Sequence, residues 1–470
     1  EAQVNWYDHP VHVGEAAEHN ELLYGLRHLD AALDWEIRTK SLPRATRAAC
    51  VLSVSVTHTG LNRVARAWLE SELADAGGLR HLDLYLFTEE DARRLLEQVL
   101  VPLAGRGDDS AALGDVFGVS GPYGRHYSFL KAVGVLWQAA VDPGVRAVFK
   151  IDLDQVFPQA ELEREAGGSM ADLFRTPLWG ARGTDADGAS LELGMIAGAL
   201  VNEGDIACGL YTADVTCAGL APVSHERLFW SRLPQALSTE AEMIARYDGP
   251  LLDGRTTCLQ RVHVTGGTNG ILIEALRRHR PFTPTFIGRA EDQAYLMSTF
   301  GREGRGLAYA HCPGLVMRHD KESFAGDAIR VARAGKAVGD ILRVLQFSAY
   351  ARALGDVDAV KRRFDPFTGC FISRIPRVVA LLRFALEALG EFKVSGPTAG
   401  AEFLAAGAAR LKDELSFTDL SSGLLERRLA HERRGWAAFY EALAAIGSGA
   451  ASPFRAAAAE IIRDCRISAS

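Results

Sequence analysis

The apolar run Val148-Phe149-Lys150-Ile151 stops at Asp152-Leu153-Asp154, a pattern that predicts a buried strand with carboxylates at its carboxyl end. On an extended backbone Asp152 and Asp154 share one side and Leu153 faces the other. Two earlier runs, Cys50–Thr57 and Leu82–Phe87, also predict strands, each followed by a helical pattern, the first through Glu72 and the second to Leu100. A β-α-β-α opening implies a parallel sheet with right-handed crossovers. Ahead of it, Leu22, Leu23, Leu26, Leu29, Leu33 and Trp35 share a helical stripe, predicting a lead-in helix packed on the next domain. Tyr123–Ala140 opens on Gly124-Arg125-His126-Tyr127 and then turns helical, with Phe129, Val133 and Leu136 or Trp137 expected on the buried face.

Past the acidic pair the pattern predicts a short helix over Met170–Phe174, a strand starting at Leu178–Ala181, and an irregular stretch from Asp185 to Leu220. Asp185 and Asp187 with Gly188 match part of a calcium loop but lack its ligand ring, so a solvated turn is expected. Val262–Gly270 predicts a strand feeding a glycine-rich turn, with a helix from Ile271 to His279. Glu291-Asp292 opens a helix, where carboxylates favour the amino-terminal dipole. Gly306–Tyr309 and Leu315–His319 predict a hairpin ending in an imidazole. Beyond Phe324 the residues turn to Ala, Leu, Arg and Glu at helical spacing, broken at Asp365-Pro366, Ser395-Gly396-Pro397 and Gly447-Ser448-Gly449. Leu404, Leu411, Leu424, Leu425, Trp436, Phe439 and Leu443 are expected on the apolar faces of those helices.

Composition narrows the function. The chain has 470 residues, 48% of them apolar, enough for two or three domains with a large core. A formal charge of −7 without a basic block argues against nucleic acid and anionic membrane as partners. Seven cysteines with no Cys-x-x-Cys pair form neither a zinc pattern nor a closed disulfide framework, so a reducing, cytoplasmic setting is expected. The opening Glu-Ala-Gln shows no signal-peptide pattern, and its missing Met points to a trimmed start. Ile375–Leu389, the most apolar helical stretch, carries Arg377, Arg383 and Glu387 and is too short and charged to span a bilayer. His9, His12, His19 and His28 are scattered along a polar helix and are given no chemistry.

Paired acids facing one cleft repel unless a cation lies between them, and a hard divalent ion that also grips a diphosphate meets that need. No Gly-x-Gly-x-x-Gly follows the first strand and no Gly-Lys-Ser/Thr phosphate loop occurs, so a nucleotide is held some other way. The order is the specific signal: Asp152-x-Asp154, then Gly266-Gly267-Thr268-Asn269 with a helix, then Glu291-Asp292-x-x-x-Leu296, then a strand closed by His319.

That order, over about Cys50 to Lys321, resembles the family-two glycosyltransferases of GT-A fold. The resemblance implies an α/β, Rossmann-like nucleotide-diphospho-sugar transferase domain over residues 49–323, after a helical lead-in at 1–48 and before an α-helical region at 324–470. It implies that Asp152, Asp154 and His319 hold Mn2+ or Mg2+, and that Gly266, Gly267, Thr268 and Asn269 line the acceptor and sugar site. Asp292, with Glu291 beside it, becomes the catalytic base. Thr57 and Asn62 after the first strand, and Glu89 after the second, match the family's nucleotide contacts loosely, since its usual Pro is absent. Lys131 is either the basic contact that GT-A enzymes carry on this helix or a solvated surface lysine. The absence of Gln-x-x-Arg-Trp argues against a chain polymerase. The expected activity is metal-dependent transfer from a UDP- or GDP-sugar to an acceptor hydroxyl, inverting, with Asp292 as base. A retaining enzyme of the glycosyl-glycerate synthase type and a non-catalytic nucleotide-sugar sensor are the alternatives, and the C-terminal helices are candidates for homo-oligomerisation.

Overall fold

The computed structural model describes residues 13–16, 21–39, 42–56, 58, 60–75, 79–105, 107–184, 189–197, 200–209, 268–301, 306–311, 315–318, 322–364, 371–447 and 452–467. It is a mixed α/β fold with a mixed sheet and a helical C-terminal region. Helix α1 (Glu21–Arg38) precedes β1 (Ala48–Ser53), α2 (Asn62–Asp75) and β2 (Leu82–Phe87). β1 and β2 pair in parallel, from Ala48 beside Leu82 to Ser53 beside Phe87, as the β-α-β reading requires. Thr88 then caps α3 (Glu89–Leu95): its N–H donates to the Asp91 carboxylate at 2.9 Å, and the acids of the first turn suit the helix dipole. A wide turn over Leu96–Leu100 leads into α4 (Val101–Ala104) and α5 (Asp108–Val116).

Helix α6 (Tyr123–Ala140) is the hub. It packs on β3 (Ala147–Ile151) and on helices from both later parts of the chain. Gly134 allows the close approach, since a Cβ there would lie 2.0 Å from the Val148 side chain. β4 (Gln155–Val156), α7 (Gln159–Glu161) and α8 (Met170–Phe174) follow.

Next come β5 (Arg182–Thr184), β6 (Ser190–Ala197), β7 (Leu200–Asn202), β8 (Thr268–Leu272), α9 (Ile273–His279), α10 (Glu291–Met297), β9 (Gly306–His311) and β10 (Leu315–Met317). β8 lies antiparallel between β3 and β6, while β5 and the parallel β9 also join β6. β10 pairs with β4 and β7 in a separate small sheet. The expected hairpin is therefore not formed, because its two strands serve different sheets. Nor is the stretch after Asp185 irregular throughout, since β6 and β7 fall within it. Gly194 interrupts the apolar run of β6 where a Cβ would lie 2.5 Å from that of Ala275. The expected strand at Leu178–Ala181 is a turn and the strand begins at Arg182; Ile271 and Leu272 complete β8 before α9 starts. Asp185, Asp187 and Gly188 lie outside the described residues.

The C-terminal region comprises α11 (Glu322–Leu354), α12 (Val357–Phe364), α13 (Pro376–Val394), α14 (Gly396–Phe417), α15 (Leu424–Gly447) and α16 (Ser452–Asp464). Its principal hydrophobic core is continuous with that of the α/β part, running from Phe87 to Cys465. Gly435 lets α15 touch α5, where a Cβ would meet the Ala112 carbonyl at 2.4 Å. The end of the chain clips onto β2: Leu86 N–H donates to the Cys465 carbonyl at 2.7 Å and Ile467 N–H to that of Leu84 at 2.9 Å. Leu411, Leu425, Trp436, Phe439 and Leu443 are buried as expected, whereas Leu404 and Leu424 are exposed. Among the described residues no helix is long and apolar enough to cross a membrane.

Candidate active site

The site is built at the carboxyl end of β3. The strand ends at Ile151, and Gln155 N–H donates to the Asp152 carbonyl at 3.2 Å, so Asp152 and Asp154 sit on a turn. Extended alternation therefore does not set their directions. Asp154 is buried, while the Asp152 side chain keeps an open edge. Helix α1 lies directly on this turn, and Gly25 is the contact: a Cβ there would come within 2.3 Å of the Leu153 carbonyl oxygen.

The late strand returns to the same place. Antiparallel pairing of β10 with β4 brings Arg318 N–H to the Asp154 carbonyl at 2.8 Å. The Arg318 side chain approaches Glu203 at 3.5 Å and lies over the Tyr24 ring at 5.1 Å, and the Tyr24 hydroxyl donates to Glu203 at 2.5 Å. His319 lies outside the described residues, as do Thr57, Gly266 and Gly267.

Lys150 supplies positive charge to the cluster. It is the penultimate residue of β3, and its ammonium is ion-paired with the Asp152 carboxylate on the turn that follows. Burial opposes that charge, but the fields of Asp152 and Glu291, the hydrogen bond to Asp152, and Asp292 outweigh it and hold the Lys150 pKa above its ordinary value. Burial pushes Asp152 up to about 6, against Lys150 and with Asp154. Asp292 stands in the first turn of α10, 4% exposed, and burial together with neighbouring Glu291 raises it to about 7, against the pull of Lys150. His126, on α6, is driven down to about 4 by burial and by Lys150. Ala290, which caps α10, holds φ at 59°, a conformation that non-glycine residues seldom adopt. The approach to the acidic pair is thus a tightly constrained turn.

Lys131 is neither a solvated lysine nor an open contact. Fully buried, its ammonium donates to the Asn269 side-chain oxygen at 2.6 Å and main-chain oxygen at 3.1 Å, while Tyr127 donates to that side-chain oxygen at 2.7 Å. Burial and nearby Lys150 depress its pKa well below the ordinary lysine value. Thr268 donates to the Gln155 side-chain oxygen at 3.0 Å. Thr268 and Asn269 belong to β8, bonding it to α6 and to the residue after Asp154, and are not part of a glycine turn.

Glu89 is committed elsewhere: its carboxylate accepts the N–H groups of Val119 and Ser120 at 2.6 and 2.8 Å and pairs with Arg125 at 2.9 Å. It anchors the loop before α6. Asn62 opens α2, its side-chain oxygen buried with no hydrogen-bond partner among the described residues. Between the β1 and β3 sides lies a mainly apolar cavity of about 440 Å³, walled by α1 and α6 and reaching Asp152 at its rim.

The sequence reading omitted Lys150, Tyr24, Glu203 and Arg318 from the site. Lys150 carried a signal, a lysine two residues before the acidic pair within an otherwise apolar strand run. Among the described residues, no three His, Cys, Asp or Glu side chains gather in a set that could hold a metal ion. No family model, curated protein or solved structure matches this chain.

Proposed function

We propose that this chain is a glycosyltransferase that moves a sugar from a nucleotide-diphospho-sugar to an acceptor hydroxyl. The observation that carries the reading is one electrostatic unit: the Asp152–Asp154 turn at a strand end, Asp292 at the start of α10, and Lys150 acting on both Asp152 and Asp292. The cavity beside Asp152 is of a size that accepts part of a small-molecule ligand.

The donor chemistry of the turn fits a hard divalent cation, because Mg2+ and similar ions take one or two carboxylates and complete their shells with phosphate oxygens. Asp152 and Asp154 would hold Mg2+ or Mn2+, which supplies a Lewis acid for the departing diphosphate. The remaining chemistry belongs to the chain. Asp292, raised to about 7, takes the acceptor hydroxyl proton as the oxygen attacks the anomeric carbon. Glu291 favours the protonated form of Asp292 and so strengthens it as a base. Lys150 keeps the acids from repelling one another apart and adds positive charge where the diphosphate gains negative charge. In-line attack inverts the anomeric configuration.

The test is incubation with a panel of UDP- and GDP-sugars, following donor loss and reading the anomeric proton of any product. Turnover with inversion is expected. A product that retains configuration transfers the reading to the retaining class, and nucleoside diphosphate binding without turnover of any donor makes the protein a sensor.

A further inference from the structure

Helix α13 buries one face and leaves the opposite face apolar. Val379, Ala380, Phe384 and Ala388 turn inward. There α14 comes close through Gly407, where a Cβ would lie 2.5 Å from the buried Phe384 ring, and through Gly400, where a Cβ would meet at 2.5 Å the Phe392 ring at the edge between the two faces. The outward positions Ile375, Val378, Leu382, Ala385, Leu389 and Phe392 are spaced three and four residues apart in alternation. Their large members are between 38% and 66% exposed. Leu381 and Leu386 widen the stripe, exposed by 50% and 54%. Alternating spacing of three and four is the seam that one helix presents to another helix, keeping the apolar positions on a single line along the contact.

We propose that this face joins two copies of the chain in a two-fold dimer, with α13 crossing its counterpart. The area is of the right order: these side chains expose on the order of 600 Å², against ~800 Å² that one subunit contributes to a standard interface. An isologous contact requires one patch to fit itself, and a nearly uninterrupted apolar stripe does so without charge matching. Charge argues against a lipid surface as the occupant. Arg374 just before the helix and Arg377 in its first turn are ion-paired with Asp358 and Asp419, so their charge is already compensated, and Lys393 at the far end of the stripe adds a single charge, little for an anionic surface.

Light scattering and sedimentation of the whole chain test the proposal. The parent should have twice the chain mass at micromolar concentration. Leu382→Glu combined with Leu389→Glu should halve that mass with unchanged far-ultraviolet circular dichroism. Leu386→Lys gives an independent reading if the double variant fails to fold. A parent that remains monomeric, or variants that dimerise as the parent does, would overturn the proposal. A monomer that cosediments with phosphatidylserine vesicles through this stripe also overturns it and assigns the face to lipid.

Discussion

Lys150 and Asp152 stand on one side of the end of β3 with their charged groups paired, and the same ammonium stabilises the charged form of Asp292. The strand thus carries its own counter-ion into an acidic site. If Asp292 must be a carboxylate to accept a proton, its elevation to about 7 sets the acid limb of activity. Below about pH 7, kcat/KM should fall, and more steeply than about tenfold per unit once Asp152 also takes up a proton near about pH 6, with a plateau above about pH 7. Lys150→Met removes a charge that favours the carboxylate, so the limb should move to higher pH. A pH profile of the two proteins measures the shift, and a limb in the same place would separate Lys150 from Asp292.

Asp292→Asn keeps the side-chain shape and removes the base. Turnover should fall by ~10²–10⁴-fold while nucleoside diphosphate affinity stays near that of the parent, because the proton moves only as the new bond forms. Single-turnover kinetics with calorimetry on the same preparation separates those effects. An unaffected rate would move the base to Glu291 or elsewhere.

Gly25 links α1 to the acidic turn, and the link is steric. Gly25→Ala places a methyl group against the Leu153 carbonyl, so α1 or the turn must shift. A loss of about 1–3 kcal/mol in stability is expected, as for overpacking elsewhere in protein cores. Donor affinity should weaken with it, since the displaced residues include Asp152 and Asp154. Denaturant melts paired with nucleotide titration provide the check, and an affected melt with untouched affinity would place α1 outside the site.

Local patterns located several elements closely. Leu82–Phe87 has the boundaries that its alternation predicts, the helix ending at Ala140 stops where expected but already starts at Tyr123, ahead of the Gly-Arg-His-Tyr run, and Glu291 does open a helix. Partner choice was a different matter. The strands around Gly306 and Leu315 are neighbours in sequence, yet one pairs with β6 and the other with β4 and β7. Nothing in either short run specifies that choice, because it is set by packing among distant segments. β6 was hidden because Gly194 breaks its apolar run, and the reason for that glycine is Ala275, far along the chain. Lys131 had an ambiguous sequence context, and only the approach of β8 shows that its partner is Asn269. The two aspartates were visible at once, but the turn that redirects them was not.

Glu89 separates a structural acid from a ligand-binding one. Sequence order placed it among the nucleotide contacts, whereas its carboxylate is shared by the N–H groups of Val119 and Ser120 and by Arg125. Glu89→Gln keeps a side-chain oxygen as acceptor but loses the charge that holds Arg125. Glu89→Ala leaves the two N–H donors and the guanidinium without this acceptor. Removing one member of a partly buried charged network costs on the order of 2–4 kcal/mol, less where water reaches the orphaned groups. Glu89→Ala should therefore lower the unfolding midpoint clearly and Glu89→Gln less so. The nucleoside diphosphate dissociation constant should stay within about twofold of the parent in both folded variants, since no carboxylate contact to the ligand is removed. Chemical denaturation and isothermal titration in the presence of Mg2+ provide the two readouts. A Glu89→Gln protein that melts with the parent but loses nucleotide affinity tenfold would restore this acid to the binding site.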